Sequence, residues 1–578
     1  MDPANGPIVS MLNEIADILE ITGSDRFRPI AYRRAARTVE ALPRPVHDYI
    51  REGSISELPG VGEAISQKIS EYASTGRLEY LEKLRSGIPP GLLELLNLQE
   101  VGPKTVGRLY LELKITSLDE LQKACEEHRV SKLKGFGDKT EERILQSIAF
   151  YRGSSKRFLL SEGDEVAAEM IRHLSGQAHR IMAAGSLRRR RETIGDLDII
   201  VASDTPESVM DRFVTYPGIS IVYSRGETKS SILLKSGLQV DLRVVEDRSY
   251  GAALLYFTGS KDHNVELRNR AIDRGLKLNE YSLSTRDGEK DVAGESEEQV
   301  YSALGLQFIE PELREARGEI DAASAGRLPH LVEEGDIRGD MHCHTNWTDG
   351  SSPIEAMIEA AEARNYSYIG ISDHSRSSRV ARGLSEEKME RQIERIEKIN
   401  ASGKYDITVL CGSEVDILPD GKLDYRDELL SRLDYVIGSV HSRFNMDSGQ
   451  MTERLLTAMS DEHLTILGHP TGRELGRREA YSFSTDSVFE EARSKGILLE
   501  INGSPERLDL NDQLVMEARR HGCAFVLSTD SHHFTQLSNM KYAVAMARRG
   551  WLEAADVANA CSEPPVARRA GRIGVRGQ

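Results

Sequence analysis

Six times between residues 338 and 532 a short, mostly apolar run ends on histidine or a carboxylate: DMHCHT, YSYIGISDH, DITVLCGSE, LDYVIGSVHS, HLTILGHP and AFVLSTDSH. Helix-like stretches separate these runs. Such alternation builds a largely parallel sheet or barrel, and its functional groups assemble where the strands' C-terminal ends converge. The spacing therefore gathers nine residues at one end: His342, His344, Asp349, His374, Glu414, His441, His469, Asp530 and His532. In the first run, strand alternation puts His342 and His344 on one side and points Cys343 away. Nine nitrogen and oxygen ligands are too many for one tetrahedral zinc. They suit up to three ions, some bridged by carboxylate, and imidazole mixed with carboxylate fits Mn²⁺ or Zn²⁺. Arg376, Arg379 and Arg473 lie near these runs and are candidates for holding substrate phosphates.

A chain of 578 residues exceeds one core and predicts three or more domains. It has no apolar run of about 18 residues, so no membrane span is expected. The first twenty residues lack the basic and apolar regions of a signal peptide. Five scattered cysteines without a CxxC pair fit a reducing cytoplasm. The net charge of −17 excludes nucleic-acid binding by bulk positive charge. Residues 1–317 hold 44 basic against 50 acidic residues, a balance of −6, and residues 318–578 hold 31 against 42, or −11. Residues 101–191 reverse the sign, with 18 basic against 12 acidic, or +6. Any DNA contact is therefore local, made by a basic stripe, backbone amides and bound metal.

The first 150 residues carry helical periodicity, as in IVSMLNEIADILEI. Three glycine turns recur there between helical patterns: LPGVG with Gly60 and Gly62, LQEVG with Gly102 followed by Lys104, and LKGFG with Gly135 and Gly137. Each is a helix-hairpin-helix pattern. Glycine allows the tight turn, and the free amides of the next helix bind a DNA phosphate without reading bases.

Residues 151–250 switch to mixed α/β, with strand-like HRIMAAGS, LDIIVAS, ISIVYS, SSILLKS and LQVDLRVV. In GSLRRRRETIGDLDII, Asp196 and Asp198 alternate on a strand and face one side. Two close carboxylates are costly unless a divalent cation neutralises them. Asp241, on QVDLRVV, is a third, and three such groups suit two Mg²⁺ ions that activate a 3′-hydroxyl and stabilise leaving pyrophosphate. Upstream, Gly185, Ser186 and Arg189 have the groups to cradle phosphates.

GSLRRRRETIGDLD resembles the nucleotidyltransferase signature of the X-family DNA polymerases, and Tyr256-Phe-Thr-Gly-Ser260 resembles that family's sugar-sensing segment. The likeness covers residues 5–317. It implies that Asp196, Asp198 and Asp241 bind metal, and that Gly185, Ser186, Arg189 and Gly195 bind the nucleotide with Tyr256, Phe257, Gly259, Lys261 and Asn264. Arg268 would face the template, and Arg243 would tune Asp241. Gly60, Gly62, Lys68, Gly102, Lys104, Gly135 and Gly137 would touch DNA. Arg190 stands where well-known relatives have glycine, and Lys261 where some have aspartate. Lys68 matches the family's Schiff-base lysine, but Phe27, Ala64 and Tyr80 occupy positions where lyase-competent relatives carry His or Lys.

The nine-residue pattern over 336–575 is similar to the PHP (polymerase and histidinol phosphatase) domain, whose members hydrolyse phosphoesters. The two resemblances together match the bacterial and archaeal family X polymerases. They imply a multidomain α+β and α/β chain: a lyase-like helical domain at 1–84, fingers at 85–150, a nucleotidyltransferase palm at 151–247 and a thumb at 248–317. A linker at 318–337 and a distorted (β/α)₇ PHP barrel at 338–578 follow. The implied function is gap-filling synthesis in DNA repair on gapped or primer–template DNA with a 5′-phosphate, using dNTPs, by a cytoplasmic monomer. The barrel would add a 3′→5′ exonuclease, with abasic-site or 3′-end processing as further activities. The alternative is a polymerase whose PHP domain is purely structural. A small-molecule phosphatase leaves the glycine turns and GDLD without purpose, and a non-enzymatic DNA-end binder leaves the carboxylate triad without one.

Overall fold

The computed structural model describes residues 5–23, 27–40, 42, 44–98, 101–288 and 290–565. Gln99 and Glu100 of the second glycine turn, and residues 566–578 of the last expected domain, lie outside that range. Among the described residues no helix is long and apolar enough to cross a membrane. The chain forms two compact units, Met1–Lys156 and Arg157–Gln578.

The first unit is helical. Helix α1 (Gly6–Ile21) buries Ile8, Leu12, Ile15 and Leu19 on one stripe and begins with Pro7, which needs no amide partner there. Helix α2 (Phe27–Glu40) packs against it. Helices α3 (Glu63–Thr75), α4 (Pro103–Leu113) and α5 (Asp138–Ser155) each follow one of the glycine turns.

The second unit opens with α6 (Leu160–Leu174) and a five-stranded sheet. Its strands are β1 (Arg180–Ala183), β2 (Asp196–Ala202), β3 (Ile219–Arg225), β4 (Lys229–Leu234) and β5 (Gln239–Val245), in the order β1-β2-β5-β4-β3. Only β2 and β5 run parallel, in a register that sets Asp198 opposite Asp241. The short α7 (Gly185–Arg188) follows β1, and α8 (Tyr250–Thr258) and α9 (Lys261–Asp273) lead to a small antiparallel sheet at 276–293. The 318–337 stretch, expected as a linker, is packed structure. It holds α10 (Glu319–Ser324), whose fully buried Glu319 bonds the His263 ring at 2.7 Å, and it buries Leu331 and Val332. Small, acidic composition suggested a loose tether, but a buried histidine partners the acid.

Seven parallel strands follow in sequential order: β6 (Gly339–Asp340), β7 (Tyr368–Ile371), β8 (Thr408–Asp416), β9 (Tyr435–Ser439), β10 (Ile466–Leu467), β11 (Leu498–Asn502) and β12 (Phe525–Ser528). A parallel bridge from Cys343 to Ser531 nearly closes them into the (β/α)₇ barrel. Its interior is filled by Met341, Tyr368, Leu410, Tyr435, Ile437 and neighbouring aliphatics. Helix α11 (Met540–Arg549) comes after the last strand. Palm and barrel share one continuous apolar core. Their seam is also ionic: Arg473 meets Glu192 at 2.8 Å, Arg549 donates to the Arg189 carbonyl at 2.6 Å, and Arg317 meets Asp512 at 3.1 Å.

Candidate active sites

The first site sits on the palm sheet. Alternation along β2 gives Asp196 and Asp198 the same face, and Asp241 lies beside Asp198 on β5. Ser231 and Gln239 donate to Asp241 Oδ1 at 2.6 and 2.8 Å and fix that carboxylate. Burial, then the charges of Asp196 and Asp241, push the Asp198 carboxyl up to about 7. Burial and Asp241 raise Asp196 as well. Arg243, Arg189 and Arg157 pull the other way but are outweighed, and crowded acids left raised in this way suit a divalent ion.

Around the triad, Gly185 has φ +60, and a Cβ there would lie 2.6 Å from Asp198 Oδ2. Only glycine lets the backbone at residue 185 approach that carboxylate so closely. Gly195 joins the short strand at 193–194 to β2. Arg189 is not free. It donates to the Thr258 carbonyl at 2.5 Å and to Glu315 at 3.1 Å, clamping the turn at Gly259 (φ +69). Tyr256 and Phe257 end α8, and Asn264 donates to the Tyr256 carbonyl at 2.7 Å while its own Oδ1 is buried without a partner. Lys261 opens α9, exposed, and Arg268 bonds back to the Asn264 carbonyl at 3.3 Å. Arg243, expected to tune Asp241, lies over the Phe257 ring at 4.1 Å, and its charge bears on Asp198. Arg190 has φ +57, the left-handed conformation that favours the glycine of relatives; a bidentate pair with Asp164 at 2.6 and 3.0 Å holds it there.

The second site lies at the strand ends of the barrel, where all nine expected residues meet. Strand β6 stops at Asp340, so His342 and His344 sit on an irregular continuation bridged to Ser531 rather than on a regular strand, with ring centres 5.1 Å apart. Glu414 is central. Its carboxylate lies 2.8 Å from His374 and from His469, 3.2 Å from His441, 3.5 Å from His342 and 3.6 Å from His344. Asp530 lies 3.2 Å from His344, and Asp349 lies 3.5 Å from His374 and 3.3 Å from His532. Three overlapping groups offer ligand atoms within 4.8 Å: His344, Asp349, His374 and His532; His342, His344 and Asp530; His374, Glu414 and His441.

Burial, then His532 and His374, push His344 down to about 3 and keep it neutral, as a metal ligand must be. Burial opposes charge on His374, but Glu414 and Asp349 outweigh it and raise it to about 10. His441 and His532 are carried to about 9 in the same way. The carboxylates thus demand positive charge at the centre. Nε2 of His342 and both ring nitrogens of His344 are buried without a hydrogen-bond partner. Orphaned imidazole nitrogens around acidic oxygens fit divalent cations.

Several orienting residues were not evident in the sequence. Glu500 accepts from His342 Nδ1 at 2.6 Å and from the His469 amide at 2.6 Å, and Asp416 accepts from His441 Nδ1 at 2.5 Å. Such partners fix the tautomer and aim the other nitrogen inward. The signals were a charge inside the apolar run LLEIN, and an acid two residues past Glu414. Of the three expected phosphate arginines, only Arg379 lines the cleft of about 440 Å³ above the centre. Arg376 is tied to Asp424 at 3.3 Å, and Arg473 is buried in the palm seam, bonded to the Arg507 and Leu508 carbonyls. Arg507, not singled out from sequence, lines that cleft instead.

In the helical unit, Gly60 and Gly135 have φ +84 and +87, and Gly62 and Gly102 sit at the N-caps of α3 and α4. A Cβ added at Gly62, Gly102 or Gly137 meets nothing within 4 Å, so the backbone there is open to a phosphate. Lys104 is 85% exposed. Lys68 donates to the Ala64 carbonyl at 3.0 Å, and its ammonium rests 4.9 Å over the Tyr80 ring.

Family models match along the chain: a helix-hairpin-helix domain over residues 3–78, a SAM-like helix-hairpin-helix tandem over 92–149, a DNA polymerase beta thumb over 253–315 and a PHP domain over 340–504. The chain is 38% identical over 559 residues to the DNA polymerase/3′-5′ exonuclease PolX of Bacillus subtilis, covering 96% of this chain and 97% of that one. It is 26% identical over 343 residues to DNA polymerase lambda of Rattus norvegicus, covering 53% and 56% respectively. Over 138 residues it is 37% identical to a probable phosphatase of Clostridium acetobutylicum, covering 22% of this chain and 54% of that one.

Proposed function

Since the chain belongs to the family X DNA polymerases that carry a C-terminal PHP domain, we propose that it fills short gaps in DNA during repair with one centre and trims 3′ ends with the other. It is a DNA polymerase with a 3′–5′ exonuclease, acting on DNA with divalent metals. The observation that carries the reading is the presence, in one chain, of both a carboxylate triad on β2 and β5 and a nine-residue barrel centre.

Asp196, Asp198 and Asp241 hold two Mg²⁺ ions in this proposal, and the nine barrel residues hold up to three Mn²⁺ or Zn²⁺ ions. Such ions supply Lewis-acid charge stabilisation and lower the pKa of an attacking hydroxyl or water. The chain's own groups do the positioning. Ser231 and Gln239 keep Asp241 in register with Asp198. Gly185, Ser186 and Gly195 receive the triphosphate of a dNTP, and Arg189 meets it from its resting place on Glu315. Tyr256, Phe257 and Gly259 face its sugar, with Lys261, Asn264 and Arg268 on the α9 side. The glycine turns, with Lys68 and Lys104, grip the DNA backbone and a 5′-phosphate. In the barrel, Glu500 and Asp416 orient His342 and His441, and Glu414 balances charge across the centre. The domain limits of this reading are those stated from sequence, save that 318–337 is packed structure and not a linker, and the enzyme works as a cytoplasmic monomer. Lys68, packed on Tyr80, serves DNA binding rather than lyase chemistry.

The test is a one-nucleotide-gapped duplex with a 5′-phosphate and a 5′-labelled primer, incubated with Mn²⁺ with and without dNTPs. One-step extension with dNTPs and a 3′-shortening ladder without them is the expected result. Extension with no shortening on any 3′ end favours a purely structural barrel.

A further inference from the structure

A second cleft, of about 720 Å³, opens between palm helix α6 and the ends of β11 and β12. Ser161, Asp164 and Ala168 of α6 line one side, and Gln536 and Asn539 line the other. Arg507, Asp530 and His532 line both this cleft and the one over the barrel centre, so the two are adjoining rooms with one shared wall.

Arg507 is the unusual member of that wall. Its side chain is 18% exposed, Nε lies 3.4 Å from Asp530 and Nη1 is 4.0 Å from Glu474. Nη1 is nevertheless buried without a hydrogen-bond partner. A planar guanidinium with an unmade bond, beside a phosphoester-hydrolysing centre, matches a phosphate oxygen in charge and geometry.

Removing a 3′-terminal nucleotide adds water across the P–O3′ bond. Hydroxyl joins phosphorus, and the departing O3′ takes the proton. The phosphate leaves with the terminal nucleoside as a 5′-monophosphate. The group that holds the phosphate must therefore adjoin space for one nucleoside. The α6 cleft is within the roughly 300–1,000 Å³ of small-molecule sites. Its walls are polar and of mixed charge: Lys541 lines it 3.8 Å from Asp164, which is itself paired with Arg190. The Oε1 of Gln536 accepts from the His532 and His533 amides, which leaves its Nε2, with the Asn539 side-chain amide, to suit the edge of a base.

We propose that this palm-walled cleft seats the 3′-terminal nucleotide that the barrel removes, with Arg507 holding its phosphate. The inference rests on the barrel being a 3′–5′ exonuclease, and it makes the polymerase palm a structural part of that nuclease.

Ala168 is exposed on α6 and outside both metal centres, so Ala168→Trp fills the cleft from the palm side. The full-length protein with Mn²⁺ is assayed for shortening of a 5′-labelled single strand, for binding of deoxyadenosine 5′-monophosphate by equilibrium dialysis, for metal content and for gap extension. The expected result is a rise of about tenfold or more in both the KM for shortening and the Kd for the monophosphate, with extension and metal content unchanged. Arg507→Lys is expected to weaken monophosphate binding with metal retained. Lost extension reports misfolding of Ala168→Trp, and Ser161→Leu then supplies the occlusion. Wild-type KM and Kd in a folded occluded variant overturn the cleft assignment while leaving the nuclease intact. A wild-type enzyme that binds the monophosphate in the cleft but never shortens DNA overturns the nuclease reading instead. Neither binding nor shortening overturns both.

Discussion

The two candidate centres of the second unit solve the same problem in opposite ways. The palm triad is three carboxylates on two paired strands. It carries no histidine, and its acids are raised because burial and mutual repulsion outweigh the nearby arginines. The barrel centre is closed, buried and rich in imidazole, with carboxylates interleaved among the rings. The contrast is one of ligand chemistry: the palm gathers carboxylates alone, whereas the barrel interleaves carboxylates with imidazoles held by partners such as Glu500.

The largest effects come from removing one ligand from each centre. Asp198→Ala is expected to lower gap extension by more than the roughly 10²–10³-fold attached to one preorganised electrostatic contact, with 3′ shortening unchanged. Equal loss of both activities in a folded protein would falsify the separation of the centres. His344→Ala should do the converse, with a loss of shortening of similar order and less metal bound. Retained shortening with full metal content breaks the barrel assignment.

Stability sharpens the comparison further. Burial pushes the Glu297 carboxyl up, but Arg314 and Arg188 outweigh it and hold it down to about 2 from the ordinary 4.5. A depressed carboxylate contributes stability that is present above the unfolded value and lost as pH falls through the folded one. That window runs from about 4.5 down to about 2. Arg188 lies in the Ser186–Arg189 turn, so this acid anchors the palm centre. Glu297→Gln should cost ~3–5 kcal/mol at neutral pH, as loss of one partner of a buried pair does. It should also flatten acid unfolding in that window, read by fluorescence. An unchanged acid limb removes Glu297 from the account.

Glu500→Gln tests preorganisation in the barrel. Loss of the charged partner of His342 should weaken metal affinity and shortening by about 10–100-fold while extension holds. No change in metal affinity would show that His342 is positioned by packing alone. The smallest effect is expected for Lys68→Ala: weaker binding of gapped duplex and a salt slope reduced by about 1. A rate collapse on abasic DNA would instead restore a lyase role.

The palm carboxylates were legible because strand alternation is a local property, and DLD declares it within three residues. Their register with Asp241 was not, since pairing between β2 and β5 is set by long-range packing. In the barrel, every ligand but Asp349, which lies in the turn after His344, falls at the end of a short, mostly apolar run, so the ligands could be read one strand at a time. The reasoning for His342 and His344 was too regular, because β6 stops before them. Glu500 and Asp416 escaped notice because their role depends on which strand lies next door. Proximity in sequence misled for Arg473, whose guanidinium turns toward the palm at Glu192. Arg190 shows the reverse: the departure from glycine was visible in sequence, but the ion pair with Asp164 that accompanies it was visible only in three dimensions.

The seam between palm and barrel has a consequence for the order of events on DNA. With an unbroken apolar core and ion pairs such as Arg473–Glu192 across it, both centres are mounted on one chassis. On such a frame a primer end would reach the second workstation by its own displacement rather than on a swinging arm. Growth and trimming would then race for the same terminus, with the supply of nucleotide as the expected throttle.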